Sequence, residues 1–195
     1  FEAGRVDFTF SLAGDTPEDR ARLQQLKEDV LRHLGQYVYA EDAETSLEQR
    51  VLRLLGARGE MLAIVDSGTG GVLAAGLAGC GSDAGALAGC LLASTEDGLR
   101  RMIAVAHDRW SACTTEVQRV ELLAETAADC AGSRCAIAVG QPRRDADGGS
   151  YVEAAFRLPN GVGRTAQLHL RGTSPSDRSR LATELLDRLR RLLVD

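Results

Sequence analysis

The segment Asp66-Ser-Gly-Thr-Gly-Gly71 holds the residues best suited to chemistry. It follows a continuous apolar run, Met61-Leu-Ala-Ile-Val65, of the length of a buried strand. Where such a strand hands over to a helix, backbone N–H groups lack partners. The turn therefore predicts a seat for phosphate or another oxyanion, built from Ser67, Thr69, Gly70 and Gly71, with the glycines allowing close approach of a ligand. The same pattern also describes a tight strand-to-helix turn in which Ser67 only caps the helix. Ser67 and Ser82 are the candidate nucleophiles. A serine attacks a carbonyl only when a neighbouring group takes its proton, and here Asp66 or Asp83 would have to do so.

Other bases are scarce. Of the 23 basic residues 22 are arginine, and Lys27 is the only lysine. An arginine stays protonated below a pH of ~12 and so cannot act as a base. His33, His107 and His169 are scattered, with no adjacent partner, and read as solvated or structural. No His, Cys, Asp or Glu cluster has ligand spacing, so neither a metal nor a cofactor is expected. Asp145-Ala-Asp-Gly-Gly149 hints at a calcium loop but lacks the closing bidentate carboxylate, which predicts a polar loop tip.

Composition narrows the class further. The net charge of −5 gives no electrostatic footprint for nucleic acid. No run of ~18 uncharged apolar residues exists to span a membrane. The start, Phe1-Glu-Ala-Gly-Arg5, lacks the order of a signal peptide and implies a piece of a longer chain. Five cysteines without a C-x-x-C pair point to reduced, buried thiols in a cytoplasmic protein. The arginines from Arg178 to Arg191, interspersed with Glu184 and Asp187, describe a solvated helix face.

The elements that must position these residues can be read from periodicity. Val6, Phe8, Phe10 and Leu12 alternate with polar residues and predict a half-buried strand. Pro17 opens a helix with Leu23, Leu26, Val30, Leu31 and Leu34 on one face, and Tyr37-Val-Tyr39 predicts a short second strand. Thr45-Ser-Leu-Glu48 has capping-box spacing ahead of a helix bearing Leu47, Val51, Leu54 and Leu55. After the glycine turn come a small-residue helix over 72–77, an apolar strand within 84–93, a short helical connection over 100–106 and a helix over 114–131. A buried strand over 135–139 follows, then a polar loop and a hairpin of 151–158 with 163–170 turning at Pro159-Asn-Gly161. Ser174-Pro175 caps a last helix with Leu181, Leu185, Leu189 and Leu192 facing the core. This alternation predicts an α/β fold, a three-layer α/β/α sandwich with a mixed sheet.

Asp66-Ser-Gly-Thr-Gly-Gly71 after an apolar strand resembles the Glu-Ser-Cys-Thr-Gly-Gly signature of CinA, the competence/damage-inducible proteins. Tyr37-Val-Tyr-Ala-Glu-Asp42, Cys135-Ala-Ile-Ala-Val139 and the closing Arg180-Leu-Ala-Thr…Leu-Leu-Asp-Arg-Leu-Arg-Arg191 are similar to family segments in order and spacing. The resemblance implies a small KH-like α/β linker domain over 1–43 and a C-terminal domain over 44–195 of the nicotinamide-mononucleotide deamidase type. The family's first domain would precede Phe1 and is absent. The resemblance also implies a homodimer, for which the apolar Ala84–Ala93 stretch is the one local support, and no nucleic-acid or membrane partner.

The family's deamidases use a serine nucleophile and a lysine base, assisted by a tyrosine and an arginine. Carried over without gaps, the nucleophile falls on Ala84, the tyrosine on Ser94 and the lysine on Leu99. The expectation is a non-catalytic module that binds a small nucleotide or phosphate, oligomerises or regulates. The alternative is an active nicotinamide-nucleotide amidase with a rearranged site at Ser67 or Ser82.

Overall fold

A computed structural model describes residues 4–194, in which six strands form one mixed sheet between two helical layers. The centre of the sheet is β1 (Leu62–Asp66) and β3 (Cys135–Val139), paired in parallel from Leu62 against Cys135 to Asp66 against Val139. Every residue of both strands is buried, as a continuous apolar run between two covering layers requires. On the other side of β1 lies β2 (Leu87–Leu92), parallel and at the sheet's edge. Beyond β3 the sheet turns antiparallel with β5 (Ser150–Arg157), which pairs with the two-residue β4 (Arg143–Arg144) and with β6 (Gly163–Leu170). The β5–β6 hairpin and the buried strand over 135–139 match the expectation from periodicity.

The two sheet faces differ in side-chain size. One carries Leu62, Ile64, Ile137, Val139, Val152 and Phe156, which pack against α2 (Leu47–Gly56), α3 (Val72–Ala78) and α7 (Pro175–Val194). The other carries Ala63, Ala136, Ala138 and Ala155, small enough for α6 (Glu116–Cys130) to lie close, with α4 (Glu96–Met102) beside it. The short α5 (His107–Ala112) connects the last two, and its Trp110 packs on that second core. Full burial of a Leu, Ile or Phe side chain contributes ~1.5–3 kcal/mol, so these two clusters are the main stabilising element of the chain.

Some sequence expectations need correcting. The capping box of α2 is Ser46 with Gln49: Ser46 Oγ accepts from the Gln49 amide at 3.2 Å, and Gln49 accepts from the Ser46 amide at 2.9 Å. Thr45 instead donates to Asp42, while Glu48 pairs with Arg5. The apolar stretch within 84–93 is strand only from Leu87, after a 3-10 turn, Gly81–Ala86.

The larger departure is near the amino end. Helix α1 (Pro17–Leu34) forms as expected, started by Thr16 and Asp19 in a reciprocal cap, yet it buries none of its residues. Val6 to Leu12 form no strand and are exposed, and Gly35–Tyr37 is a 3-10 turn rather than the start of a strand. Alternation marks a face, but a strand also needs a neighbour for its backbone, and the described residues supply none. Residues 1–3 of the expected linker domain lie outside the described residues.

All five cysteines are free thiols. Cys80 and Cys135 are buried, Cys90 and Cys113 half-buried and Cys130 exposed, so the expectation of uniformly buried thiols holds for two. Among the described residues no helix is long and apolar enough to cross a membrane.

Candidate functional site

The turn after β1 is organised by Asp66, the last residue of that strand and 2% exposed. Its Oδ1 accepts from the Gly68 amide at 2.9 Å and the Thr69 amide at 2.8 Å. Its Oδ2 accepts from the Gly71 amide at 3.3 Å and from the Thr69 hydroxyl. Three backbone donors of the turn, those of Gly68, Thr69 and Gly71, are thus engaged by the chain's own carboxylate, a common way for a buried charge to be held.

The hydroxyls are engaged as well. Thr69 is fully buried, and its Oγ1 also accepts from the Leu73 amide at 3.3 Å, closing the first turn of α3. Ser67 does not cap that helix: its Oγ and its amide both donate to the Val139 carbonyl at 3.0 Å, tying the turn to the end of β3. The glycines serve the protein rather than a ligand. A Cβ on Gly68 would stand 2.7 Å from the Gly140 carbonyl oxygen, so the two loops can meet only without one. Gly70, at φ +64°, has the left-handed backbone that favours glycine and lies under the guanidinium of Arg178, which would have to shift for a side chain there.

A second polar cluster adjoins this turn, at the same carboxyl end of the parallel strands, and periodicity did not reveal it. Glu96, buried in the first turn of α4, accepts from the Gln141 amide at 3.2 Å and from Arg143 at 3.0 Å. Arg143 reaches Glu116 at 2.9 Å, and Glu116 accepts from the Tyr151 hydroxyl at 2.9 Å. That bond to Glu116, with desolvation behind it, pushes the Tyr151 phenol above its ordinary pKa, so the ring stays protonated and donates. The four residues come from α4, the β4 strand, α6 and β5, too far apart in sequence for spacing to link them. The one local sign was Thr95, whose hydroxyl caps α4 and fixes Glu96 in its first turn.

The fallback pair lies elsewhere. Leu62 pairs with Leu87 at one end of the sheet and Asp66 with Leu92 at the other. Ser82 and Asp83, in the 3-10 turn before Leu87, therefore sit about a strand's length, ~16 Å, from Ser67. Ser82 is exposed and lines a shallow cleft of about 550 Å³ with Arg53, Glu60, Met61 and Gly85. The Asp83 carboxylate is taken by Arg53 at 2.9 Å. Among the described residues, neither Ser67 nor Ser82 hydrogen-bonds a carboxylate or an imidazole.

The histidines are no nearer. His33 Nδ1 meets the Asp29 carbonyl at 2.7 Å, His107 lies 3.4 Å from Ser111, and His169 sits on the exposed face of β6. Among the described residues no three potential ligands gather for a metal. Asp145 folds onto its own loop, accepting from the amides of Asp147 and Gly149 at 3.1 and 2.6 Å.

No family model matches the chain. A stretch of 77 residues is 38% identical to a putative competence-damage inducible protein of Streptococcus suis, covering 38% of this chain and 20% of that protein. A CinA-like protein of a Synechococcus species is 39% identical over 75 residues, again 38% of this chain and 18% of the relative. The matched part thus spans about a fifth of those relatives' length. A crystal structure of a CinA superfamily protein from Klebsiella pneumoniae aligns at 25% identity and a TM-score of 0.62, covering 76% of this chain and 96% of that one. The chain is thus similar to CinA proteins over part of its sequence and shares its fold with CinA superfamily structures. A CinA superfamily structure from Enterobacter cloacae shares the fold at 21% identity and a TM-score of 0.62, over 80% of this chain and 98% of that one.

The three positions carried over from the CinA resemblance lie as follows. Ala84, where the family's nucleophile falls, is half-buried in the 3-10 turn at the amino end of β2. Ser94, at the tyrosine position, is exposed just beyond β2. Leu99, at the lysine position, is fully buried against α6 and β1. The neighbouring Arg100 and Arg101 both turn to Asp97, at 2.8 and 3.4 Å, and hold its carboxyl below the usual range.

Proposed function

We propose that this chain is a CinA-type domain that no longer hydrolyses the amide of nicotinamide mononucleotide and serves as a homodimeric assembly module of a longer, cytoplasmic protein. The observation that carries the reading is the separation of its parts. Ser67 and Asp66 are spent at the carboxyl end of β1, while Ser82 and Asp83 stand at the amino end of β2, with Asp83 held by Arg53. Neither serine has a group placed to take its proton, and such general-base help is worth ~10²–10⁴-fold in rate.

Of the roles open to a silent module, ligand sensing at the glycine turn has the weaker support. A small nucleotide or phosphate there would have to displace Asp66 from three amides or rely on Arg178 above Gly70. Assembly is favoured because apolar side chains ahead of α1 stay exposed in the single chain. Residues 1–43 are proposed as the linker-domain part of that module.

The test is ammonia release from nicotinamide mononucleotide by the wild-type chain, Ser67→Ala and Ser82→Ala. The expected rate is that of buffer for all three. Turnover in the wild type that either substitution abolishes would restore the rearranged amidase, a reading favoured by the position of Ser82 and Asp83 on an open cleft.

A further inference from the structure

The arginine-bearing face of α7, expected from the sequence to be solvated, is interrupted by Arg190, which is 6% exposed. A buried guanidinium needs acceptors for its five N–H groups. Arg190 finds them in two places. Its Nε and Nη2 donate to Asp187 Oδ1 at 3.0 and 2.7 Å, one turn back on the same helix. Nη2 also donates to the Gln36 carbonyl, and Nη1 donates to the Val38 carbonyl at 3.5 Å. Between those two residues, the ring of Tyr37 lies under the guanidinium of Arg191, 5.8 Å from it, and Arg191 shares Asp187 at 3.0 Å. Three successive residues of the turn after α1 are thus held by two neighbouring arginines around one carboxylate.

Other contacts hold α1 weakly. The helix buries none of its residues. Its pair Lys27–Glu41, at 2.6 Å, has both side chains half exposed, where an ion pair contributes little. Arg5 fastens the segment ahead of α1 to Glu48 on α2, but the exposed stretch 6–15 separates that contact from the helix. We propose that Arg190, with Arg191 and Asp187, is a latch that fixes the 36–38 turn to α7 and makes α1 a rigid arm of the domain rather than a freely hinged one. A partner that binds α1 is then held at a fixed angle to the sheet. The arginine fork is needed because a single ammonium does not serve both carbonyls and Asp187 together.

The latch does not depend on the deamidase or the assembly reading. Backbone amide relaxation measured by NMR on the full chain tests it by comparing α1 with β1 and β3 in the same molecule, so the state of association does not enter. In the wild type the three elements should share one tumbling time, with order parameters of about 0.85. Arg190→Met should lower those of α1 below about 0.6 while β1 and β3 keep theirs. If Arg190→Met does not fold, Arg190→Lys keeps the charge beside Asp187 and should still loosen α1. Lys27→Ala should change nothing. An α1 that already moves independently in the wild type overturns the latch, as does an α1 that stays rigid in whichever Arg190 variant folds. Loosening of β1 and β3 together with α1 overturns it too, since that is a general loss of stability. Equal loosening by Lys27→Ala would also overturn it and transfer the hold to the pair with Glu41.

Discussion

Asp66 and Phe8 belong to segments of similar size, each a few residues of irregular chain leading into a helix, and the fold treats them in opposite ways. Around Asp66 most of the polar groups are paired within the chain: three amides and a hydroxyl converge on one buried carboxylate, and Ser67 is fastened to the neighbouring strand. Around Phe8 the apolar groups meet mainly each other, and the helix that follows buries nothing. A turn whose donors are internally satisfied holds its shape and has little left for a ligand. A segment with unburied apolar residues gains free energy only by finding a surface elsewhere. The contrast is why the proposed assembly role is not placed at the most motif-like loop.

The comparison breaks first at Asp66. Asp66→Ala leaves three amides and the Thr69 hydroxyl in a buried turn without an acceptor. The expected loss is about 3 kcal/mol or more in urea unfolding, since an orphaned buried donor costs about 1–3 kcal/mol. The same variant should gain what the wild type lacks: inorganic phosphate should raise its melting temperature by taking the vacated place of the carboxylate. An equal rise in the wild type would mean that Asp66 does not close the turn.

A smaller effect sharpens the same contrast within the sheet. Burial, with Glu60 adding a like charge, pushes the Cys135 thiol up to about 12 from an ordinary value of 9.0. Its folded value is raised, so the unfolded chain loses this proton first as the pH climbs. The contribution is fully present below about pH 9 and is lost progressively as the pH rises toward 12. At pH 10 the loss should be on the order of 1 kcal/mol. Denaturation at a series of alkaline pH values should show this slope in the wild type and a shallower one in Cys135→Ala. Identical slopes would remove Cys135 from the account.

The sequence made some of this readable and concealed the rest for identifiable reasons. The strand around Ile137 and the β5–β6 hairpin were legible because their patterns are decided locally, by unbroken apolar runs and by Pro159-Asn-Gly161. The capping box slipped by one residue because Thr45–Glu48 and Ser46–Gln49 have the same spacing. What separates them is distant: Arg5 claims Glu48, and Asp42 claims Thr45. The glycine turn was placed correctly, yet its ligand is the residue before it, and an aspartate at a strand end does not announce whether it faces outward or folds back. Glu96, Arg143, Glu116 and Tyr151 were invisible because four separate elements bring them together. The strand at Val6–Leu12 has the right periodicity and no partner in its own chain, and periodicity carries no information about partners.

The smallest effect expected is also the most discriminating for the amino-terminal half of the contrast. Phe8→Ala removes a large side chain that is 63% exposed, so in dilute, monomeric protein its cost should fall within about 0.5 kcal/mol, as for other surface changes. At concentrations where the wild type dimerises the two should separate. The wild-type melting temperature should rise with protein concentration, because association stabilises the folded form by mass action, while that of Phe8→Ala stays nearly flat. A large loss in dilute solution would mean that Phe8 is already buried in the single chain and that the amino-terminal segment is as self-sufficient as the turn around Asp66. Parallel concentration dependence in the two proteins would instead place the contact on a surface that Phe8 does not touch.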